Sequence, residues 1–283
     1  MAAFNLSLEP AQIEILIKPS AVFTQAYNII NNSTESQLLS SSLSAWVPSD
    51  NQGGVLYQDS FDSPLIFSLS NTDLKLGQEF LLGPGQKKQL VLKIVNPSAE
   101  NSDYYLTFFI NQKPLNQNGH QNLAKIGSHL LITTSSEQNI ISNLQVSKFN
   151  ISPKIKDIFL SQTIKAEIFN QGLHYRQIDG QLTIYKNNQI FSEQNLFPYT
   201  VIPNSSRLLM CLNSDNESTP CRLKIPLWPG KYQGFITLNG NSTKYEYPFS
   251  FFIFPYTITI FILFLFFLLT LILKNKPKKN SPH

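Results

Sequence analysis

An all-β chain, two tandem β-sandwiches followed by one transmembrane α-helix, is what the sequence predicts, and three observations carry the prediction. Runs with period-two alternation recur roughly every ten to fifteen residues before residue 253, and none shows a convincing helical period. Turn clusters separate them: Asn31-Asn32-Ser33, Gly83-Pro84-Gly85, Asn96-Pro97-Ser98, Asn170-Gln171-Gly172, Lys186-Asn187-Asn188 and Pro229-Gly230. The nineteen residues from Pro255 to Leu273 then carry no charge. Many short strands without helices between them pack as antiparallel sandwiches, and an uncharged run of that length is a candidate span.

In chain order, Leu90, Leu92 and Ile94 give one face of a strand, and Tyr104, Leu106, Phe108 and Ile110 give one face of another. Ile164, Ala166 and Ile168 alternate with Lys165 and Glu167. Tyr232, Gly234, Ile236 and Leu238 alternate with Gln233, Thr237 and Asn239, while Phe235 intrudes on the polar face. The last strand, KYEYPFSFFIF, places Tyr245, Tyr247, Phe249 and Phe251 on one side.

Two passages repeat loosely. YNIINNSTES, followed later by GPGQKKQLVLKIVNP and DYYLTFFI, parallels KAEIFNQGLH, followed by VIPNSSRLLMCL and WPGKYQGFITL. In each, a strand ends in an Asn-rich turn and a Pro-containing turn later launches another strand. The seam falls near Ser135 to Asn139, where TTSSEQN interrupts the apolar pattern. The predicted organisation is a first sandwich over 1–136, a second, membrane-proximal, over 137–252, a helix over 253–273 and a basic tail over 274–283.

At about 1.5 Å per residue the uncharged run reaches about 28 Å, close to the hydrocarbon thickness of a bilayer. Fourteen of its residues are Leu, Ile or Phe, which together favour insertion by roughly 4 to 8 kcal/mol. Pro255 fits the first turn, where its missing N–H is not needed. Lys274, Lys276, Lys278 and Lys279 crowd one flank, whereas the nearest basic residues on the other are Lys244 and Lys231. Positive flanks stay cytoplasmic, so the body of the chain is expected outside the cell.

Composition narrows the function. Four of the 22 basic residues belong to the tail, which leaves 18 against 18 acidic ones in a body without net charge. Only Arg176, Arg207 and Arg222 supply guanidinium groups, so a phosphate-binding surface is not expected and nucleic acid is excluded as a partner. Cys211 and Cys221 bracket the turn-rich NSDNESTP; the pair reads as a disulfide closing a loop in an oxidising compartment, with two reduced thiols as the other reading. The opening MAAFNLSLEP has neither a basic n-region nor an apolar h-region. An outward body therefore calls for a leader upstream; the alternative is a tail-anchored chain with a cytosolic body.

G-x-S-x-G, a phosphate-cradling Gly run, H-E-x-x-H and C-x-x-C are all lacking, and no local nucleophile accompanies His120, His129 or His174, so no enzyme and no cofactor are expected. Asp50, Asp59 and Asp62 are the nearest thing to a carboxylate cluster and read as solvated loop residues, with no metal site expected. Trp46 and Trp228 are the candidates for stacking on sugar rings of a wall polymer, with core or turn packing as the competing reading. Asn31 and Asn216 sit in Asn-x-Ser/Thr triplets that read as chance in so Asn- and Ser-rich a chain.

The opening NLSLEPAQIEILIKPSAVFTQAYNIINNSTE, the segment FNQGLHYRQIDGQLTIYKNNQIF, and VIPNSSRLL with LWPGKYQGFITL are similar to Gram-positive cell-surface proteins that interact with WxL proteins. That resemblance covers nearly the whole chain in order and spacing. It implies immunoglobulin-like folds for both sandwiches, a peptidoglycan-binding first domain, a host-binding second one, a span and a basic tail. More distantly, the first domain resembles the immunoglobulin-like half of periplasmic pilus chaperones, although the Arg and Lys that anchor a client's carboxylate have no counterpart before Lys18. A third relative by fold is the major-sperm-protein domain of tail-anchored adaptors. The expected function is a membrane-anchored surface binding or scaffold protein that meets a wall polymer or protein partner, by β-augmentation at an exposed strand edge. The alternatives are a strand-donating assembly chaperone and a tail-anchored cytosolic adaptor.

Overall fold

The computed structural model describes residues 5–58, 60–71, 73–114, 124–136, 143–152, 155–157, 162–223, 229–239 and 244–274. It divides into two compact units, Met1–Ile141 with Gly172–Tyr175, and Ser142–Gln171 with Arg176–His283. Both are β-sandwiches.

The first unit contains β1 (Leu6–Glu9), β2 (Gln12–Ile17), β3 (Val22–Asn31), β4 (Gln37–Pro48), β5 (Val55–Gln58), β6 (Ile66–Leu69), β7 (Glu79–Leu82), β8 (Lys87–Val95), β9 (Ser102–Lys113) and β10 (Lys125–Thr134). One sheet has the order β1-β3-β8-β6 and the other β2-β10-β9-β4-β5, with β7 on β4. The first stretch of chain is thus shared between sheets: β1 pairs antiparallel with β3, and β2 pairs parallel with β10. This is the A-B-E-D against G-F-C order of an immunoglobulin-like sandwich. Leu90, Leu92 and Ile94 of β8 face Leu106, Phe108 and Ile110 of β9, all buried as their alternation requires, and the Tyr27 and Phe108 rings stack at 4.7 Å.

The second unit follows the same plan. Its strands are β11 (Leu144–Ser152), β12 (Ile155–Lys156), β13 (Gln162–Asn170), β14 (Arg176–Lys186), β15 (Gln189–Asn195), β16 (Tyr199–Val201), β17 (Ser206–Leu208), β18 (Met210–Leu212), β19 (Ser218–Pro220), β20 (Arg222–Leu223), β21 (Gly230–Asn239) and β22 (Lys244–Ile253). The sheets are β11-β13-β17, with β20 on β13, and β12-β22-β21-β14-β15, with β16 on β14. Again the first strand pairs antiparallel in one sheet, and the next pairs parallel with the last strand of the other. Ile164, Ala166, Ile168, Tyr232, Ile236 and Leu238 form the core with Phe251 and Ile253.

The loose sequence repeat has a structural cause. Asn31, at the end of β3, is fully buried; its Nδ2 donates to the carbonyls of Glu35 (2.8 Å), Leu82 (2.9 Å) and Gly83 (3.0 Å). Its own backbone donates to Gln86 and accepts from Gly85. Asn170, at the end of β13, is equally buried: Nδ2 donates to Val201 O (3.0 Å), its N–H to Ser205 O, and Asn204 N–H donates back to its carbonyl. One buried amide thus ties each strand end to the Pro-containing turn that launches a later strand. At Asn31 the same burial leaves no accessible amide for a glycan.

After β22 comes α1 (Tyr256–Lys274), nineteen residues whose described side chains are largely exposed, among them Ile260, Phe261, Leu263 and Phe266. Thr257 N–H donates to Asp157 Oδ2 at 2.7 Å, so a carboxylate from just after β12 caps the positive end of the helix. The helix runs over 256–274, against an expected 253–273. The finer expectation, a membrane span, does not rest on the described residues: among them no helix is long and apolar enough to cross a membrane.

Candidate functional site

A sandwich offers a partner its loops, its sheet faces and its strand edges; an edge is distinctive when long and unguarded. Most edges here are short or defended. β1, β5 and β6 have four residues each, and β12 has two. β11 carries a register shift between Ser147 and Asn150, with Lys148 paired to Glu167 at 3.0 Å. β15 has a register shift at Phe191, which β14 leaves unpaired between Ile190 and Ser192.

β22 differs. It has ten residues, and on the side away from β21 the two-residue β12 pairs with Phe252 and Ile253. The corresponding strand of the first unit, β10, is paired by β2 over six residues, His129 to Thr134. β11 is longer than β1, so the chain changes sheets later in the second unit.

Pro248 belongs to this arrangement. It lies opposite Phe235 on β21, and having no N–H it is tolerated only where that group would have pointed away from the sheet. By alternation Lys244, Glu246 and Ser250 turn their backbone groups to the outer side as well. Beside the N-terminal half of this edge is a cleft of about 440 Å³, lined by Leu144 and Val146 of β11, Leu238 of β21, and Tyr245 and Tyr247. Lys244 and Glu246, ion-paired at 3.1 Å and well exposed, border it too. Further along β22 the gap is closed by rings, with Phe149 of β11 at 4.9 Å from Phe249 and 5.3 Å from Tyr247. Phe249 in turn lies over Gly234, its cross-strand partner, where a Cβ would meet the ring. The cleft mixes apolar side chains with polar ones, Gln145, Lys244 and Glu246 among them.

The residues singled out from sequence are dispersed. Trp46 is 9% exposed; its Nε1 donates to Leu106 O at 3.1 Å, and its ring packs against Tyr105 (5.3 Å) and His129 (5.5 Å). Of the two readings of Trp46, packing is the one that fits this burial. Trp228, Lys276, Lys278 and Lys279 lie outside the described residues; Lys274 ends α1, exposed. Cys211 and Cys221 are disulfide-linked, Cα to Cα 4.9 Å, across the β18–β19 hairpin, where Asn213 Oδ1 accepts from the Asp215 and Glu217 amides. Asp215 and Glu217 are thus turn residues. Replacing both cysteines by serine is expected to destabilise the second unit by about 2–3 kcal/mol, and a reductant should shift the urea midpoint of the unsubstituted chain likewise.

Asp50 Oδ1 accepts from the amides of Gln52, Gly53 and Gly54 at 2.8 to 2.9 Å, an Asx turn; Asp59 lies outside the described residues. Among the described residues no group of three His, Cys, Asp or Glu could hold a metal ion. His129 Nδ1 is 2.9 Å from Thr107 Oγ1, and burial lowers its pKa below the ordinary histidine value. The folded state therefore takes up this proton less readily than the unfolded chain. Stability of the first unit is full above about pH 6.5 and declines as pH falls through that value toward the lowered one. His129→Gln should flatten this part of the curve of urea midpoint against pH.

No family model matches the chain, and no curated protein sequence matches it. Among solved structures it is similar to the class 5 fimbriae chaperone CfaA, at 13% identity over 89% of this chain and 100% of that one, with a TM-score of 0.44. It is also similar to the E. coli chaperone DraB, at 14% identity over 86% and 98%, TM-score 0.39. A third is the CsuC–CsuE chaperone–tip adhesion subunit complex of Acinetobacter baumannii, at 10% identity over 88% and 98%, TM-score 0.41. These belong with the more distant of the likenesses drawn from sequence, the pilus chaperones, and none is a WxL-interacting surface protein. At such identities and scores they assign no role to this chain; its sandwich order rests on the strand pairing itself.

Proposed function

We propose that the chain is a non-enzymatic binding protein that engages a protein partner by β-augmentation, along the outer edge of β22. One observation supports this: the described pairing on the outer side of this ten-residue strand is the two-residue β12, and beside the strand lies a cleft lined by Leu144, Val146, Leu238, Tyr245 and Tyr247. Backbone groups on such an edge supply affinity, and the cleft supplies side-chain selectivity. A protein partner takes the place of the wall polymer, because the one described tryptophan is buried.

The proposal includes display from a membrane. The sequence continues the uncharged run of α1 through Ile272 and Leu273 to the lysine cluster, and such an apolar surface is stable only when covered. The body faces outward and the tail the cytoplasm; protease added to intact cells should remove the body, and its survival until the membrane is opened would reverse the topology.

A photo-crosslinker at Glu246, exposed on β22, should capture one partner that the same group at Glu193, on the bulged edge of β15, does not. Equal capture at both positions, or none at Glu246, refutes edge recognition there. A second reading is a strand-donating assembly chaperone for surface subunits. It is favoured by β10, whose first four residues, Lys125 to Ser128, are not paired by β2. A crosslinker at Lys125 that traps a subunit with an incomplete sandwich would select this reading.

A further inference from the structure

Resting on display from a membrane, we infer that the end of the second sandwich next to α1 is itself seated on lipid. An apolar and basic rim, made by Ile190, Phe191, Phe252 and Phe254 with Lys186 and Lys231, enters a headgroup layer that carries anionic phosphates.

Register gathers these residues at one end of the sheet. β22 finishes at Ile253, opposite Gly230, and only Phe254 and Pro255 stand between it and α1. One row back Phe252 faces Lys231. Two rows further Ser250, Gln233, Tyr185 and Ile190 stand in line across four strands. At about 3.3 Å per row, Ile190 lies about 7 Å along the strands from Phe252. Lys186 pairs with Gln189 across the Asn187-Asn188 turn, which closes β14 and β15 at the same end.

Exposure singles the rim out. Ile190 is 60% exposed, Phe191 41%, Phe252 43% and Phe254 42%. Among the described residues of the second unit before α1, these four are the exposed large apolar side chains, and all four fall at the end beside the helix. The exposed apolar surface then continues into α1 through Ile260, Phe261 and Leu263. A patch continuous with such a helix shares its surroundings, and aromatic and aliphatic side chains backed by lysines are the composition that settles at a headgroup boundary.

Charge runs the same way along the strands. Lys231 is exposed, and Lys186 Nζ lies 5.1 Å over the Tyr232 ring and 3.4 Å from the Pro229 carbonyl. Carboxylates of this sheet stand further off: Glu193 in the row of Phe235, Glu246 in that of Thr237 and Asp179 in that of Asn239. These rows lie roughly 13 to 26 Å from Lys231. Asp157, which is also at the helix end, is buried and turned to the first turn of α1. The long lysine stems let the ammonium groups remain among phosphates while the rings sit deeper.

The test uses the full chain in vesicles of equal parts phosphatidylcholine and phosphatidylglycerol. Benzoylphenylalanine is placed singly at Phe252, Ile190, Asp179 or Phe264, and lipid adducts are read by mass spectrometry after irradiation. The probe replaces ring for ring at Phe252 and Phe264 and an exposed side chain at Ile190 and Asp179, so the fold is retained. Adduct yields at Phe252 and Ile190 at least tenfold above that at Asp179 are expected, with Phe264 marking the span. Phosphatidylcholine alone should lower the yield at Ile190 at least threefold, and Lys231→Glu should do the same in the mixed vesicles without changing the yield at Phe264. Lipid adducts at Phe264 alone leave the span standing and overturn the seating. Equal yields at Asp179 and Ile190, or adducts to protein rather than lipid at Phe252 and Ile190, overturn it as well. Absence of lipid adducts at Phe264 removes the membrane reading on which it rests.

Discussion

Asn31→Leu is expected to lower the stability of the first unit by about 3 kcal/mol, and Asn170→Leu that of the second by a similar amount, with little change in side-chain volume. Each leucine would strip carbonyls of their donor: the buried one of Leu82 and the part-buried ones of Glu35 and Gly83 in the first case, and the buried one of Val201 in the second. Leaving a buried polar group unsatisfied costs roughly 1–3 kcal/mol per group, more than the bond contributes when made. The measurement is urea unfolding followed by probes in each unit. Asn31→Leu should shift the transition seen at Trp46, and Asn170→Leu a transition reported from β14 or β21. If either substitution leaves its midpoint in place, the corner is decorative.

Gly180→Ala should be the more damaging change for the second unit, at about 3 kcal/mol or more. Gly180 has φ of 157°, and a Cβ there would run into the backbone carbonyl oxygen of Thr237 on the neighbouring β21. Backbone cannot swing aside as a side chain can, so β14 and β21 would have to part. Here β14 exchanges one edge partner for another, β16 up to Ile178 and β15 from Gln181 onward, with Leu196 N–H donating to the Gly180 carbonyl between them. Gly127→Ala is the control. Its Cβ would meet the Thr107 methyl at 2.5 Å and the Phe109 ring at 2.8 Å, both side-chain atoms that can yield, so a loss of about 1 kcal/mol is expected. Equal effects at the two glycines would contradict the distinction between backbone and side-chain obstruction.

The alternating apolar positions of β8, β9, β13 and β21 were legible because a half-buried strand must hide every second residue, whatever its neighbours are. The two-fold repeat of Asn corner and Pro turn was visible for the same reason, since one buried amide has to be spelled out in both units. Trp46 shows where parity fails: the opposite face of its sheet is covered too, by Tyr105 and His129, which alternation alone does not reveal. Asp179-Gly180 has the composition of a hairpin turn yet lies inside β14, because the glycine serves a close approach between strands rather than a reversal. The pairing of β22 was hidden for a different reason. How far β12 extends along β22 is a matter of tertiary pairing, and only Pro248, in the middle of an otherwise strand-like run, signalled a backbone position of β22 that gives β21 no N–H.

Asp157 reaches the first turn of α1 across a sequence separation of 100 residues. It gives the junction a second point of attachment besides the peptide bond. A pull applied to the far end of α1 is divided between β22, which runs straight into the helix, and β12, held through that carboxylate. Because β12 and β22 run in parallel, both are loaded along their length in the same direction, and tension enters the sandwich as shear rather than as peeling of its last strand.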